Sequence, residues 1–254
     1  MKYFLHKLII ISILGFSANG FAQNLPSIQL DRPDQTECPF IVPKGYIQFE
    51  SGFGFEKENA TTRHMTYPTV LWKYGINEML ECRLITEFIA VHTRSQIQQG
   101  VTPITVGFKA NLLKEKGLVP MVSFIGHLTT QSLGNEVFRT AHTAPSFRFT
   151  LQHTLSPKIS LSYNLGAEWD GETPQTNYLY TLSTGFTLSK KWGCYTELYG
   201  FLPQDSKADH RADAGFTYLI NNDWIVDLSS GVGLSPDSPR YYVAFGVSHR
   251  FKVK

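Results

Sequence analysis

Few residues in this sequence have the type and spacing that catalysis needs. His127 is followed by Thr129, with Ser132 further along, and this is the nearest approach to a histidine beside a hydroxyl nucleophile. Such a nucleophile needs a general base, and the base needs an Asn or Asp that orients it. No orienting residue can be assigned from the sequence. We therefore interpret His127 as a structural histidine near the rim of the fold and predict that the protein is not an enzyme.

The sequence also gives little indication of a metal site or of a disulfide framework. The remaining histidines of the body of the chain are scattered without metal-ligand spacing: His64, His92, His142, His153, His210 and His249. Three cysteines, Cys38, Cys82 and Cys194, form an odd set without a CxxC pair, which is too few for a disulfide framework. We predict no catalytic residue, no metal and no cofactor.

Composition narrows the class of protein. The chain has 254 residues, of which 42% are hydrophobic, so it is not an intrinsically disordered protein. Charged residues make up 17% and the formal net charge is +2, which gives no electrostatic footprint for nucleic acid. The only long apolar run lies at the start of the chain, so a bundle of transmembrane helices is excluded.

The first 22 residues resemble a cleaved secretory signal peptide. Lys2 and Lys7 precede a short apolar core at 8–16, and Gly20, Phe21 and Ala22 supply the small-residue cleavage pattern before Gln23. Removing Lys2 and Lys7 lowers the 23 Lys and Arg to 21, equal to the 21 Asp and Glu. The mature chain is therefore predicted to be exported and formally neutral.

From residue 45 to residue 254, apolar and polar or small side chains alternate with the period of a β-strand. Runs of about ten residues, each ended by turn residues, predict twelve strands. They are 46–56, 66–76, 79–90, 102–112, 118–128, 143–155, 159–169, 178–188, 193–202, 212–220, 224–234 and 241–252. The facing of 118–128 and 193–202 is ambiguous in the sequence.

The connections between these strands alternate between short and long. Short turns are predicted at 77–78, 114–116, 156–158, 189–191 and 221–223, and longer loops at 57–65, 91–101, 129–142, 170–177, 203–211 and 235–240. Short periplasmic turns and longer extracellular loops are typical of outer-membrane barrels, whereas a secreted β-sandwich has no reason to alternate them. We predict an all-β fold, a transmembrane barrel of twelve antiparallel strands in the outer membrane of a Gram-negative bacterium, in contact with its lipid.

One face of the strands carries isolated charges among Gly, Ser and Thr, which suits a crowded, partly hydrated lumen. The predicted lumen-lining residues are Glu50, Lys73, Glu81, Arg83, Glu87, Lys109, Arg148, Glu168, Glu197, Asp213 and Asp227. The apolar face carries all four tryptophans near strand ends, as an aromatic girdle at a membrane interface would: Trp72, Trp169, Trp192 and Trp224.

Several motifs resemble those of a known family. Asp31-Arg32-Pro33-Asp34 and the run 42–52 (VPKGYIQFESG) are similar to the opening of the family described as "putative MetA-pathway of phenol degradation". The similarity continues through 71–75 (LWKYG) and 213–218 (DAGFTY). This resemblance implies an outer-membrane transporter, and the family name implies small aromatic compounds as solutes. A barrel of this kind would also meet the barrel-assembly machinery during biogenesis.

Residues 23–44 precede the first strand and are polar and Pro-rich, with Asp31, Arg32 and Asp34 close together. They could be a loose periplasmic tail, or a plug folded into the lumen. Twelve strands lie between small filled barrels and large water-filled ones, so a plug would decide whether the pore is closed or narrow. We expect Glu50, Glu81, Arg83, Lys109 and Arg148 to hold it there.

Three functional hypotheses follow from these observations. The first is a passive channel for small solutes, with aromatic or apolar compounds as candidates and with Tyr195, Tyr199 and Phe201 facing inward beside Glu197. The second is a non-transporting envelope or adhesion barrel that acts through its loops, chiefly 129–142. The third is a lipid-modifying outer-membrane enzyme, which would require His127 to act on lipid. The sequence favours the first.

Overall fold

The computed structural model describes residues 25–253 and consists of antiparallel β-strands. The strands are β1 Tyr46–Lys57, β2 Arg63–Asn77, β3 Leu80–His92, β4 Ile97–Val101, β5 Thr105–Leu113, β6 Met121–Thr129, β7 Ala144–Ser156, β8 Ile159–Glu168, β9 Asn177–Thr187, β10 Trp192–Pro203, β11 Asp209–Asn221, β12 Trp224–Gly233 and β13 Tyr241–Lys252. One short 3₁₀ turn, Glu136–Phe138, lies between β6 and β7. No helix among these residues is long and apolar enough to cross a membrane. The predicted signal peptide lies outside the described residues.

Twelve of the strands close into a barrel, as the alternating sequence predicts. Each pairs with its neighbours along the chain, β1 pairs with β13, and β3 pairs with both β2 and β5. Closure pairs both edges of each of these twelve strands, whereas an open sheet would leave the backbone groups of its outer edges unpaired. The remaining strand, β4, pairs only with the end of β3, so it extends one loop and is not part of the wall.

Four strands begin three residues from the predicted position, and one strand, β4, was not predicted. β5 begins at Thr105 instead of residue 102, and β11 begins at Asp209 instead of residue 212. β4 lies inside the predicted loop 91–101, because it folds back as a hairpin on β3. β6 begins at Met121 instead of residue 118, since Pro120 has no N–H to donate to the sheet. β2 begins at Arg63 instead of residue 66, and a register shift between Thr66 and Thr69 accommodates Pro68.

The connections fall into two groups at opposite ends of the barrel. One end carries 58–62, 93–104, 130–143, 169–176, 204–208 and 234–240, here called the loop end. The other carries 78–79, 114–120, 157–158, 188–191 and 222–223, here called the turn end. The orientation of these ends relative to a membrane stays a prediction.

The barrel is apolar outside and polar inside, the reverse of a soluble protein. Leu198, Phe216 and Phe245 on the outer surface are 50–56% exposed, while Glu81 and Lys109 on the inner surface are fully buried. Buried charges are tolerated when they are paired, and a belt of exposed apolar side chains is stable when lipid surrounds it. The two ambiguous strands follow the same rule. Their inward residues include Ser123 and Ile125 on β6, and Tyr195, Glu197 and Tyr199 on β10.

The four tryptophans lie on the outer surface near strand ends. Trp72 and Trp192 are exposed, and Trp224 stacks on His249 with ring centroids 3.9 Å apart. Trp169 lies near the loop end and contacts Phe147. Their action as a girdle in the headgroup region stays a prediction.

Candidate functional site in the barrel interior

Residues 25–44, here called the N-terminal segment, lie inside the barrel without helix or strand. Prolines at 26, 33, 39 and 43 remove backbone donors and keep the segment out of the sheet. Its N–H groups instead donate to wall side chains: Asp31 and Arg32 to Glu50 (2.9 and 3.1 Å), Gln35 to Glu197 (2.7 Å), Glu37 to Asn164 (2.8 Å) and Val42 to Glu81 (2.9 Å). The wall therefore supplies the hydrogen bonds that a strand would obtain from its neighbours.

Asp31 is the main electrostatic anchor of the segment. Its carboxylate accepts hydrogen bonds from Lys73 Nζ at 3.0 Å, Arg83 Nη1 at 2.9 Å and Lys109 Nζ at 2.8 Å. Glu50 and Glu81 also contact these cations. Burial alone would raise the pKa of the Asp31 carboxyl, but the three positive charges outweigh burial and hold this pKa well below its usual range.

Glu37 extends the same ionic network. It pairs with Arg83 Nη2 at 2.5 Å and with Arg148 Nη1 at 3.5 Å. Arg148 also donates to the carbonyl of Gln35 at 3.3 Å. The network is balanced, because the four cations Lys73, Arg83, Lys109 and Arg148 face the four acids Asp31, Glu37, Glu50 and Glu81.

His127 belongs to this network and not to a hydrolytic site. Its Nε2 accepts a hydrogen bond from Arg83 Nε at 3.1 Å, so it lies inside the barrel instead of at the rim. Thr129 is bonded to Thr105 at 2.7 Å and Ser132 is exposed in the loop after β6. The histidine and the two hydroxyls therefore do not form a nucleophile and base pair.

Arg32 is seated against the wall on the side away from Asp31. Its Nη2 donates to Asp227 at 3.1 Å. The guanidinium lies over Gly52 of β1 and Gly246 of β13, which are cross-strand partners. A Cβ on Gly52 would overlap the guanidinium, and one on Gly246 would lie 2.8 Å from Arg32 Nε. The two glycines thus form a notch for the guanidinium, which a side chain at either position would fill.

Two cavities meet at the N-terminal segment. One, of about 360 Å³, lies toward the turn end and is lined by Asp34, Pro157 and Tyr195. The other, of about 350 Å³, lies toward the loop end and is lined by Glu56, Arg211 and Tyr242. Arg32 and Pro33 line both cavities, so these two residues separate them.

The other predicted lumen-lining residues, and Asp34 of the predicted plug, also lie inside the barrel. Glu87 bonds Thr69, Glu168 accepts from Asn177 at 2.9 Å, Asp213 accepts from Tyr242, and Asp34 lies beside the turn-end cavity. Burial raises the pKa of the Asp34 carboxyl to about 7. Within residues 25–253, no group of three or more His, Cys, Asp or Glu is arranged to hold a metal ion.

The sequence of this chain matches the family described as "Putative MetA-pathway of phenol degradation" over residues 30–251. The match covers most of the chain. The protein belongs to this family. Among functionally curated proteins, none matches the chain.

Solved structures similar to this family member are outer-membrane barrels. The COG4313 outer membrane channel from Pseudomonas putida F1 matches with a TM-score of 0.68 and 11% identity, over 84% of this chain and 97% of the other. The NanC porin matches with a TM-score of 0.56 and 9% identity, over 80% of this chain and 98% of the other. The KdgM porin in complex with disordered oligogalacturonate matches with a TM-score of 0.53 and 11% identity, over 81% of this chain and 99% of the other. At these identities the similarity establishes a shared fold.

All five wall residues expected to hold residues 23–44 contact the described part of that segment: Glu50, Glu81, Arg83, Lys109 and Arg148. Sequence reasoning missed further contacts from Lys73, Ser123, Asn164 and Glu197. Strand alternation places these residues inward, but it cannot show which inward residues the segment reaches.

Proposed function

We propose that this protein is a passive channel for small solutes in the outer membrane, and that the N-terminal segment restricts its lumen as a plug. The observation that carries the proposal is the pair of cavities that open from opposite ends and meet at Arg32 and Pro33. A solute that crossed the barrel would have to pass these residues. The shared fold with outer-membrane channels supports a conduit.

The lining suggests solutes with an apolar or aromatic part. Ile89, Tyr199 and Tyr242 give the loop-end cavity apolar surface among charged residues. The family description, phenol degradation, is compatible with small aromatic compounds. Pockets that combine apolar walls with a few polar groups bind and orient small organic molecules.

The proposed function also requires export of the chain and its insertion into the outer membrane. Residues 1–22 would direct the chain out of the cytoplasm and be removed, and the barrel-assembly machinery would insert the remainder into the outer membrane. The enzymatic alternative has no support from His127, because its ring nitrogen is bonded to Arg83. The alternative of a non-transporting barrel predicts a lumen that stays impermeable when the plug is removed.

Deleting residues 25–44 from the mature chain should raise its conductance in planar bilayers by about twofold or more, because the segment occupies the space between the two cavities. Faster migration of unboiled than boiled protein on a detergent gel would verify that the variant still forms a barrel. A matched control removes residues 172–175, which are exposed in a loop. Unchanged conductance in a folded deletion variant would overturn the plug, and impermeability of both proteins to all small solutes would overturn the channel.

A further inference from the structure

The acids of the barrel interior are unevenly neutralised. The network around Asp31 contains equal numbers of acids and cations. On the opposite wall, β10, β11 and β12 carry Glu197, Asp213 and Asp227, and Asp34 of the N-terminal segment lies nearby. Among the described residues, the cation paired with this acidic wall is Arg32, which bonds Asp227. Arg211 lies nearer the loop end and is paired with Glu56 and Asp209.

Two tyrosines close this acidic wall from either side. Tyr195 of β10 crosses Gly215, where a Cβ would lie 2.5 Å from its ring, and Tyr242 of β13 crosses Gly231 in the same way. The Tyr242 hydroxyl donates to Asp213 Oδ2, and the Tyr195 hydroxyl lies within electrostatic reach of Tyr242, Asp213, Asp34 and Glu197. The glycines of β11 and β12 therefore leave room for the two rings to lie against the acidic wall.

Several polar atoms at this point are buried and have no hydrogen-bond partner within residues 25–253. They are the Tyr195 hydroxyl, Asp213 Oδ1, Asp227 Oδ2 and Ser229 Oγ. Tyr195 is only 6% exposed and Asp213 only 7%. Buried polar groups are normally satisfied, so a group of four that converges on one wall indicates a binding site for a polar ligand.

We propose that this wall binds the ammonium group of small organic cations and thereby makes the channel prefer cations to anions. Carboxylate oxygens accept charge-assisted hydrogen bonds from an ammonium group, and the faces of Tyr195 and Tyr242 attract it further. The narrow lumen weakens solvent screening of these charges. This inference rests on the proposed channel function and adds its solute class.

The wall lies at the boundary between the two cavities. Tyr195 lines the turn-end cavity, Tyr242 lines the loop-end cavity, and Arg32, bonded to Asp227, lines both. A cationic solute that moved between the cavities would replace Arg32 as the partner of the acids. An anion would meet four acidic side chains at the same point.

Reversal potentials of the full-length protein in a KCl gradient test the preference. Above neutral pH we expect K⁺ to permeate about fivefold better than Cl⁻, and Asp213→Asn to bring the ratio close to unity. Glu168→Gln is the matched control, because it removes one inward acid that lies away from Tyr195 and bonds Asn177. A preference for Cl⁻, or a K⁺ preference that survives Asp213→Asn together with Glu197→Gln, would overturn the inference.

Binding measured by calorimetry tests this site independently of the channel function. Benzylammonium should bind the detergent-solubilised protein, benzyl alcohol and benzoate should bind at least about tenfold more weakly, and Asp213→Asn should remove the difference. If no current flows but benzylammonium binds selectively, the channel proposal fails and the site stands. Equal binding of the three probes would contradict the site even in a conducting channel.

Discussion

Replacing Asp31 with alanine should destabilise the protein and release the N-terminal segment. The substitution removes the carboxylate that Lys73, Arg83 and Lys109 share. Removing one partner of a buried ion pair costs about 3–5 kcal/mol, because the remaining charge stays buried without compensation. Glu50 and Glu81 still neutralise part of the cations, so we expect the free energy of unfolding to fall by about 3 kcal/mol.

Denaturant unfolding of the purified barrel measures this loss, and planar bilayers measure the release. Conductance should rise toward that of the protein lacking residues 25–44. Asp237→Ala is the control, because Asp237 is exposed in the loop between β12 and β13. An Asp31→Ala protein with unaltered stability and unaltered conductance would show that this carboxylate does not anchor the segment.

Gly52→Ala should open the channel without unfolding the barrel. The new Cβ would occupy the position of the Arg32 guanidinium, which is the far end of a flexible side chain and can move aside. Displacing it breaks the bond to Asp227 and opens the partition between the two cavities. We expect conductance to rise by about twofold or more, while the free energy of unfolding changes by only about 1 kcal/mol.

Gly54→Ala provides a closely matched control. Gly54 lies on the same strand and the same face, but a Cβ there would meet only Thr66 and Ala244, at 3.8 to 3.9 Å. Single-channel recordings of the two variants compare the same chemical change at a crowded and at an open position. Equal conductance of Gly52→Ala, Gly54→Ala and the wild type would contradict the role of Arg32 in separating the cavities.

The barrel was predictable because its physics is local. Alternation on each strand fixes which residues face the interior, so the buried positions of Glu81 and Lys109 follow from single runs of sequence. Pro120 displaced the start of β6 and Pro68 lies at a register shift within β2, since the effect of a proline depends on the partner strand at that position.

The contacts of the N-terminal segment were less predictable. The charges of Asp31, Arg83 and Lys109 suggest an ionic network, because charges of opposite sign in one confined lumen must pair. The bonds of Gln35 to Glu197 and of Glu37 to Asn164 depend on the path of an irregular backbone through the barrel. The notch at Gly52 and Gly246 depends on strands at opposite ends of the chain, so no local pattern reveals it.

A disulfide between the N-terminal segment and the barrel wall tests most directly whether the segment lies in the lumen. In a background in which Cys38, Cys82 and Cys194 are replaced by serine, Thr36→Cys is combined with Thr181→Cys. The hydroxyl of Thr36 in the N-terminal segment lies 2.6 Å from the hydroxyl of Thr181 on β9. The control combines Thr36→Cys with Thr196→Cys, since Thr196 is exposed on the neighbouring strand.

Mild oxidation should cross-link residues 36 and 181 almost completely and leave 36 and 196 unlinked, because a disulfide requires Cβ atoms about 4 Å apart. The cross-linked protein should keep the low conductance of the wild type. Failure of residues 36 and 181 to link, or equal linking of both pairs, would contradict a segment held inside the barrel.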